Sequence, residues 1–325
     1  MKTPLKAAVI AVMAILAPCV AQQALAQSYP NKPIRILIPF VAGGFSDVVG
    51  RIVAQKLSES MGQPVVSDNR PGASGIIGTD IVVKAAPDGY TLLLSSFNHV
   101  VNPSLMKPPY DPIKDFSAIS LIADGPPLVM MVSPASTVKT VQQLIALAKA
   151  RPGQLNYGST GVGTSGHLIG ELFKLEAGID IVHVPYRGSS LSIPAVISGE
   201  VAMISTYMPT ALPHARSGRL RSIAVTSAQR SAVMPEVPTM VESGVSGVVV
   251  SGFAGFLGPA GMSPALVKQL HGEIVKMSKN ADFVKRYKSF DMTPVASTPQ
   301  ELVTYTQREI AKWARVIKAA GIKMK

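Results

Sequence analysis

The sequence predicts an α/β protein whose sheets are mostly parallel, with helices on both faces. Three observations carry that expectation. Short apolar runs alternate with segments of helical period along most of the 325 residues. Helix start and stop signals fall between those runs. No period of roughly 20–50 residues repeats, so a solenoid or propeller is set aside.

The elements follow in order. Ile34 to Phe40 is a short apolar run suited to a strand buried on both faces. Val41-Ala42-Gly43-Gly44 breaks it. A helix is expected from about Asp47 to Ser60, with Ile52, Val53 and Leu57 on one face and Gly62 as its stop. Thr91 to Ser96 and Leu128 to Val132 read as buried strands. Thr140-Val141-Gln142-Gln143 is a capping box opening a helix that Pro152-Gly153 ends. Leu155 to Ser159 is a strand, Gly161 to Gly166 a glycine-rich turn, and His167 to Glu176 a helix closed by Gly178. Ile179 to Val184 and Leu220 to Thr226 are further strands. Ser243 to Val267 carries no charge and is long enough to span a bilayer, but its glycines, Pro259 and Pro264 favour a strand and crossover. Thr298-Pro299-Gln300-Glu301 is a second capping box, followed by a stripe of Leu302, Tyr305, Ile310, Trp313 and Val316.

Met1 to Ala26 reads as a secretory signal peptide. Lys2 and Lys6 precede the uncharged run Ala7 to Val20, and Ala24-Leu25-Ala26 offers a cleavage site before Gln27. An uncleaved anchor is disfavoured because the run is shorter than the roughly 20 residues a span needs. A lipid anchor at Cys19 is the other competitor, with Pro18 a poor fit to a lipobox. Cleavage leaves no cysteine, which excludes a thiol nucleophile and a cysteine-rich zinc site.

Hydrophobic residues at 47% rule out wholesale disorder, and charged residues at only 15% do not fit a coiled coil or an interaction tail. The net charge of +12 falls to +10 when Lys2 and Lys6 are removed. A basic surface attracts an anionic ligand, anionic headgroups or nucleic acid. The cluster Lys276, Lys279, Lys285, Arg286 and Lys288 has no helix-turn-helix or aromatic platform around it, so a solvated face is expected and nucleic acid is not.

The chemical motifs are mostly absences. Histidines 99, 167, 183, 214 and 271 are scattered without zinc-helix spacing, and neither a nucleophile elbow nor a phosphate loop occurs. A pair of catalytic carboxylates is not excluded by spacing, but no acidic pair stands out. Gly161-Val162-Gly163-Thr164-Ser165-Gly166 matches the dinucleotide fingerprint. Its next strand ends Val184-Pro185-Tyr186-Arg187, without the acid that would hold a ribose.

A simpler chemistry suits these residues. A helix N-terminus presents unpaired N–H groups and a partial positive charge, and glycine lets an anion approach the backbone. Gly161 to Gly166, with the Thr164 and Ser165 hydroxyls, has that design. So does Gly43-Gly44-Phe45-Ser46-Asp47, again between a strand and a helix. The competing reading is that the glycines only make tight turns and the hydroxyls only cap helices.

The opening Tyr29-Pro30-Asn31-Lys32-Pro33-Ile34-Arg35 and Pro39-Phe40-Val41-Ala42-Gly43-Gly44-Phe45-Ser46-Asp47 resembles the Bug family, the extracytoplasmic solute receptors of tripartite tricarboxylate transporters. The similarity continues through Asp68-Asn69-Arg70-Pro71-Gly72-Ala73, Asp88-Gly89-Tyr90, Asn156-Tyr157-Gly158-Ser159-Thr160-Gly161, His183-Val184-Pro185-Tyr186-Arg187-Gly188 and Ala224-Val225-Thr226. It covers essentially the whole mature chain.

The resemblance implies a type II periplasmic-binding-protein fold: two α/β lobes, 28–127 plus 253–325 and 128–252, joined by crossing strands at Leu128–Val132 and Ser251–Leu257. It implies a periplasmic, monomeric receptor for a small organic carboxylate, without cofactor or metal. Its partners would be the membrane components of a tripartite tricarboxylate transporter. The matching turns imply ligand-binding roles for Phe40, Gly43, Gly44, Phe45 and Asp47, and for Thr160, Gly161, Gly163, Thr164 and Ser165. Ser95 and Ser96 stand beside the first turn. Many relatives carry an acid after the strand matching Val201 to Ile204, where this chain reads Ser205-Thr206-Tyr207. Thr206 at that place leaves no partner for an ammonium group. That favours an amine-free acid with an apolar or aromatic body near Phe45, Phe97 or Tyr207. Asp47 has a second reading as a helix-dipole partner, His167 as a packed side chain and Arg187 as a surface residue. An exported hydrolase or lyase acting on a carboxylic acid is the alternative function, disfavoured because no nucleophile–base set is recognisable.

Overall fold

The computed structural model describes residues 29–322; the signal-peptide and Cys19 readings lie outside them. The chain begins with β1 (Ile34–Ile38), α1 (Phe45–Met61), β2 (Val65–Asn69), α2 (Ile76–Val83), β3 (Thr91–Ser95) and α3 (Phe97–Leu105). The long strand β4 (Phe116–Val132) follows, then α4 (Val141–Ala150), β5 (Asn156–Ser159), α5 (Ser165–Ala177), β6 (Val182–Pro185) and α6 (Ser189–Ser198). The rest is β7 (Met203–Tyr207), α7 (Met208–Arg216), β8 (Arg221–Val225), β9 (Ser251–Pro259), α8 (Pro264–Ser278), α9 (Ala281–Lys288), β10 (Thr293–Pro294) and α10 (Pro299–Ala319).

Strand order is β2-β1-β3-β9-β4-β7-β5-β6, with β8 and β10 also on β4. The parallel pairing expected from the sequence holds in two triplets, β2-β1-β3 and β6-β5-β7. Between them the pairing is antiparallel, a correction to the mostly parallel expectation. An apolar run buries equally well in either direction, so composition does not report it.

β4 is the physical link. Its first part, Phe116 to Pro127, pairs with β9, and Leu128 to Val132 pairs with β7 and β8. The expected strand at Leu128–Val132 is thus the second part of a longer one. The change of partner coincides with a register shift between Asp124 and Pro127 and with Gly125 at φ +85, a conformation L side chains rarely adopt. Beyond it the period of two sorts the buried side chains. Leu128, Met130 and Val132 enter the larger core, while Val129 and Met131 enter a second one with Val196, Ile204 and Met208.

Local signals mostly act as read. Gly62 and Gly178 end α1 and α5 in the left-handed conformation. Thr298 and Glu301 form a complete reciprocal capping box. At α4 the box is incomplete: the Thr140 hydroxyl accepts from the Gln143 N–H, but the Gln143 side chain accepts from Lys139 N–H at 2.7 Å, one residue early. In α10 the fully buried stripe is Leu302, Thr306, Trp313 and Ile317, with Tyr305, Ile310 and Val316 half-buried beside it. Val248 to Val250 is irregular rather than a strand, with the Val250 N–H donating to the Thr226 carbonyl at 2.9 Å, and β9 begins at Ser251. Among the described residues no helix is long and apolar enough to cross a membrane.

Candidate functional site

All six parallel strands send their carboxyl-terminal turns to one cleft of about 690 Å³. The turns after β1 and β3 open α1 and α3; those after β5, β6 and β7 open α5, α6 and α7. Each of these five helices presents its N-terminal residues to the cleft, among them Phe45, Asn98, Ser165, Ser189 and Thr210. Pro71 to Gly75, after β2, completes the wall. Among the described residues no aspartate or glutamate lines it. Arg187 supplies the one charged lining side chain; it is exposed and lacks an ion-pair or hydrogen-bond partner among the described residues. The field inside is therefore positive, built chiefly from N–H dipoles.

The first turn is braced by a carboxylate. Gly43 N–H donates to Asp47 Oδ2 at 2.9 Å, and Arg51 Nε donates to the same carboxylate at 3.0 Å. Burial alone would raise the Asp47 pKa. Hydrogen bonds from Arg51, Gly43 and Asn69 outweigh it and hold the group below the ordinary carboxylate range. Asp47 and Gly43 thus build the turn, while Phe40, Gly44, Phe45 and Ser46 line the cleft. Ser46 Oγ lies 3.4 Å from Ser96 Oγ, which also lines it. Ser95 points elsewhere, donating to the Gly255 carbonyl at 3.1 Å.

The second turn is braced by histidine. Gly163 N–H donates to His167 Nδ1 at 3.0 Å, which makes Nδ1 the acceptor of a neutral ring with its proton on Nε2. His167 stacks on His183 at 4.0 Å, His183 stacks on Tyr157 at 5.0 Å, and His183 Nε2 is hydrogen-bonded to Ser159 Oγ at 2.7 Å. Burial is the main force lowering both histidines; His167 and Lys174 add to it at His183, which is pushed down to about 3. The Thr164 hydroxyl is spent inside the turn, donating to Gly161 O at 2.7 Å. Thr160, Gly161, Thr164 and Ser165 line the cleft; Gly163 stands behind it.

Bonds also run between the turns of the two triplets. Ser74 Oγ donates to the Val162 carbonyl, Asn98 Nδ2 donates to Gly163 O at 3.2 Å, and Phe45 meets Tyr207 at 4.5 Å between ring centres. Thr206 lies on the β7 wall. Its neighbours there were not singled out as polar groups from the sequence: Ser205, Tyr207 and Thr210 line the cleft with buried hydroxyls that have no hydrogen-bond partner among the described residues. Ser74, Asn98 and Ser189 were missed as well. Only their position after a strand end signals them. Among the described residues no group of three or more His, Cys, Asp or Glu is placed to hold a metal ion.

This architecture has relatives. The family model for the tripartite tricarboxylate transporter family receptor matches residues 49–322. Protein BugT of Bordetella pertussis is 39% identical over 303 residues, covering 92% of this chain and 93% of its own. The structure of R. palustris Rpa4515 with adipate superposes with a TM-score of 0.88 at 32% identity, over 91% of this chain and 99% of that one. The periplasmic binding protein BugD superposes with a TM-score of 0.86 at 28% identity, over 91% of this chain and all of that one, 100%. The fold is that of these periplasmic binding proteins, and the chain belongs to the tripartite tricarboxylate transporter receptor family, the solute-binding receptors that include the Bug proteins.

Proposed function

We propose that this protein is an exported, monomeric receptor that captures a small organic carboxylate between two lobes. It then delivers the acid, unchanged, to the membrane components of a tripartite tricarboxylate transporter. The observation that carries the reading is the cleft itself: five helix N-termini and one free arginine converge on it, with no acidic side chain among its lining residues. Such a site favours an anion over a neutral or cationic ligand. The adipate named with the R. palustris neighbour is of the expected class.

The lobes of this reading are 28–127 plus 253–325 and 128–252. β4 and β9 carry the chain between them, and closure is a hinge motion about those strands, biased by ligand contacts to both sides. Gly43, Asp47 and Gly163 act in it by shaping the turns, and Ser95 by fixing β3 against β9. The remaining residues expected from the sequence meet the ligand directly. Thr206, with no carboxylate near it in the cleft lining, favours an acid without an amine. Among the described residues no histidine lines the cleft either, so the hydrolase or lyase alternative lacks an evident general base.

Thermal unfolding with a panel of organic acids tests the proposal. A bound acid raises stability as RT ln(1 + [L]/Kd), about 2.7 kcal/mol at a hundredfold excess over Kd, and is recovered intact. A panel without any stabilising acid, or one that is consumed, overturns the receptor reading. Tight glutamate or aspartate binding with amine-free acids inert overturns the Thr206 argument alone. N-terminal sequencing of exported protein should begin at Gln27.

A further inference from the structure

We propose that Ser74 and Asn98 are positioning residues that latch the two lobes together. They hold the Val162–Gly163 turn across the cleft and so set how readily the receptor closes, whichever acid it carries. The inference rests on the two lobes of the receptor reading and adds what the protein's own groups contribute to their closure.

The latch joins one wall of the cleft to the turn facing it. Ser74 lies between β2 and α2, and Asn98 is the second residue of α3. Val162 and Gly163 lie between β5 and α5, in the other lobe. The Ser74 hydroxyl donates to the Val162 carbonyl, and Asn98 Nδ2 donates to the next carbonyl, Gly163 O, at 3.2 Å. A Cβ added to Gly163 would stand 3.6 Å from Ser74 Oγ and 3.5 Å from Leu105 Cδ1, so the two sides are in contact there. The N–H of Gly163 is engaged within its own lobe, by His167 Nδ1. The turn is thus held through its N–H from one lobe and through its carbonyls from the other.

The acceptors decide what kind of role this is. A ligand carboxylate carries only acceptors, so it cannot answer a carbonyl oxygen. Val162 O and Gly163 O need donors from the protein or from water, whatever acid is present. When the lobes part, both carbonyls and both donors return to water. Exchanging water partners for a protein partner shifts the closing equilibrium by about 2- to 10-fold per bond.

The donor side is prepared in advance. Gly72, Ala73, Ser74 and Gly75 take positive φ of 134, 45, 53 and 89 in succession. Ala73 and Ser74 carry a Cβ, which disfavours the left-handed region. Neighbours in the same lobe hold the segment there. Asn102 Nδ2 donates to Ser74 O at 3.0 Å, Thr79 Oγ1 to Gly75 O at 2.8 Å, and the Gly75 N–H to Gly72 O at 2.9 Å. Strain kept in place by surrounding contacts marks segments with a task. Here it aims one hydroxyl at the opposite turn.

The test needs a reporter of closure that works without ligand. The chain from Gln27 onward has no native cysteine. A Cβ on Gly44, whose φ of −89 suits any residue, would lie 3.8 Å from Ser189 Oγ on the facing lobe. In a Gly44→Cys/Ser189→Cys background, the rate of disulfide formation at a fixed excess of oxidised glutathione, with no acid added, reports how often the lobes meet. Ser74→Ala and Asn98→Ala should each slow it about threefold or more, and the pair together about fivefold or more. Ser74→Gly, which removes the hydroxyl while relieving the backbone, should slow it as much as Ser74→Ala and yet have the higher Tm of the two. Without the reporter cysteines, the Kd of every acid that stabilises wild type should rise by a common factor, because only the closed fraction has changed. Unchanged disulfide rates with raised Kd would make the two side chains ligand contacts and overturn the latch. Unchanged rates with unchanged Kd, or a cysteine pair that never joins, overturn it as well. A wild type that no acid stabilises removes the receptor reading, while the disulfide rates still decide the latch.

Discussion

The β1–α1 and β5–α5 units are built to one plan with different chemistry. Gly43 and Gly163 take positive φ of 84 and 76 just before the helix caps Gly44 and Thr164. Three residues into each helix stands the brace, Asp47 or His167, accepting the N–H of that glycine at 2.9 or 3.0 Å. Three further on, Gly50 and Gly170 let each helix settle on its sheet. In one unit the acceptor is an anion neutralised by Arg51 at the surface; in the other it is a neutral imidazole in a buried stack. A hydrogen-bond brace therefore does not fix the charge at the mouth of a binding turn. The carboxylate offsets part of the α1 dipole, whereas the histidine leaves the α5 dipole whole.

The largest expected contrast lies at the helix glycines. A Cβ on Gly170 would fall 2.1 Å from Cε2 of Tyr157, a fully buried ring whose hydroxyl donates to Glu171 at 2.6 Å. That ring is held at both ends. A Cβ on Gly50 would meet the tip of Ile38 at 2.5 Å, a methyl that a rotamer change can move. Gly170→Ala should destabilise by about 3 kcal/mol and Gly50→Ala by about 1 kcal/mol or less, the better helix propensity of alanine offsetting part of the latter. Urea denaturation measures both. Equal costs would show that the two packings are not as different as their neighbours suggest.

Acid should separate the two braces next. A histidine whose folded pKa lies below its ordinary 6.5 favours the neutral, folded form. Its contribution is complete above about pH 6.5 and fades as pH falls toward the folded value, about 3 at His183. Asp47 is held below its ordinary 3.8, so its contribution persists until pH falls through that lower value. On acidification from pH 7 the protein should lose stability first through the histidine unit. His183→Gln should flatten the pH dependence of Tm between pH 6.5 and 4. A loss of Tm between pH 6.5 and 4 that His183→Gln leaves unchanged would break the distinction.

The sequence made α1, the Gly161–Gly166 turn and α10 legible because glycines, caps and a capping box mark their ends. Other elements were hidden by the same residues that usually mark loops. Pro103, Pro194 and Pro213 lie inside α3, α6 and α7, and Pro126-Pro127 lies inside β4. Those two prolines are tolerated because they sit where β4 exchanges one partner for another and the ladder is already interrupted. In the site, the two glycine-rich turns that reach the cleft were readable, since each stands between a strand end and a helix start. Ser205 and Thr210 were not. Nothing in a run such as Met203 to Tyr207 says which hydroxyls face a cleft and lack partners; that depends on the pairing of β7 with β4 and β5, which brings its end beside α5.

The smallest effect bears most directly on the comparison. Asp47→Asn keeps an oxygen to accept the Gly43 N–H but removes the negative charge near the α1 start. It also breaks the ion pair with Arg51, whose side chain is 58% exposed, so the loss in stability should be at most about 1 kcal/mol. A ligand carboxylate near Phe45 and Ser46 would then feel a less compensated dipole, and affinity should rise about two- to fivefold at low salt, shrinking toward parity at 1 M salt. Asp47 acting instead as a direct ligand contact, through a shared proton or a bound water, would give the opposite result, a loss of affinity that salt does not erase. The sign of the change decides whether that carboxylate belongs to the scaffold of the turn or to the surface that meets the acid. For His167→Asn the same measurement should show no salt-dependent gain, since the imidazole it replaces carries no charge to remove.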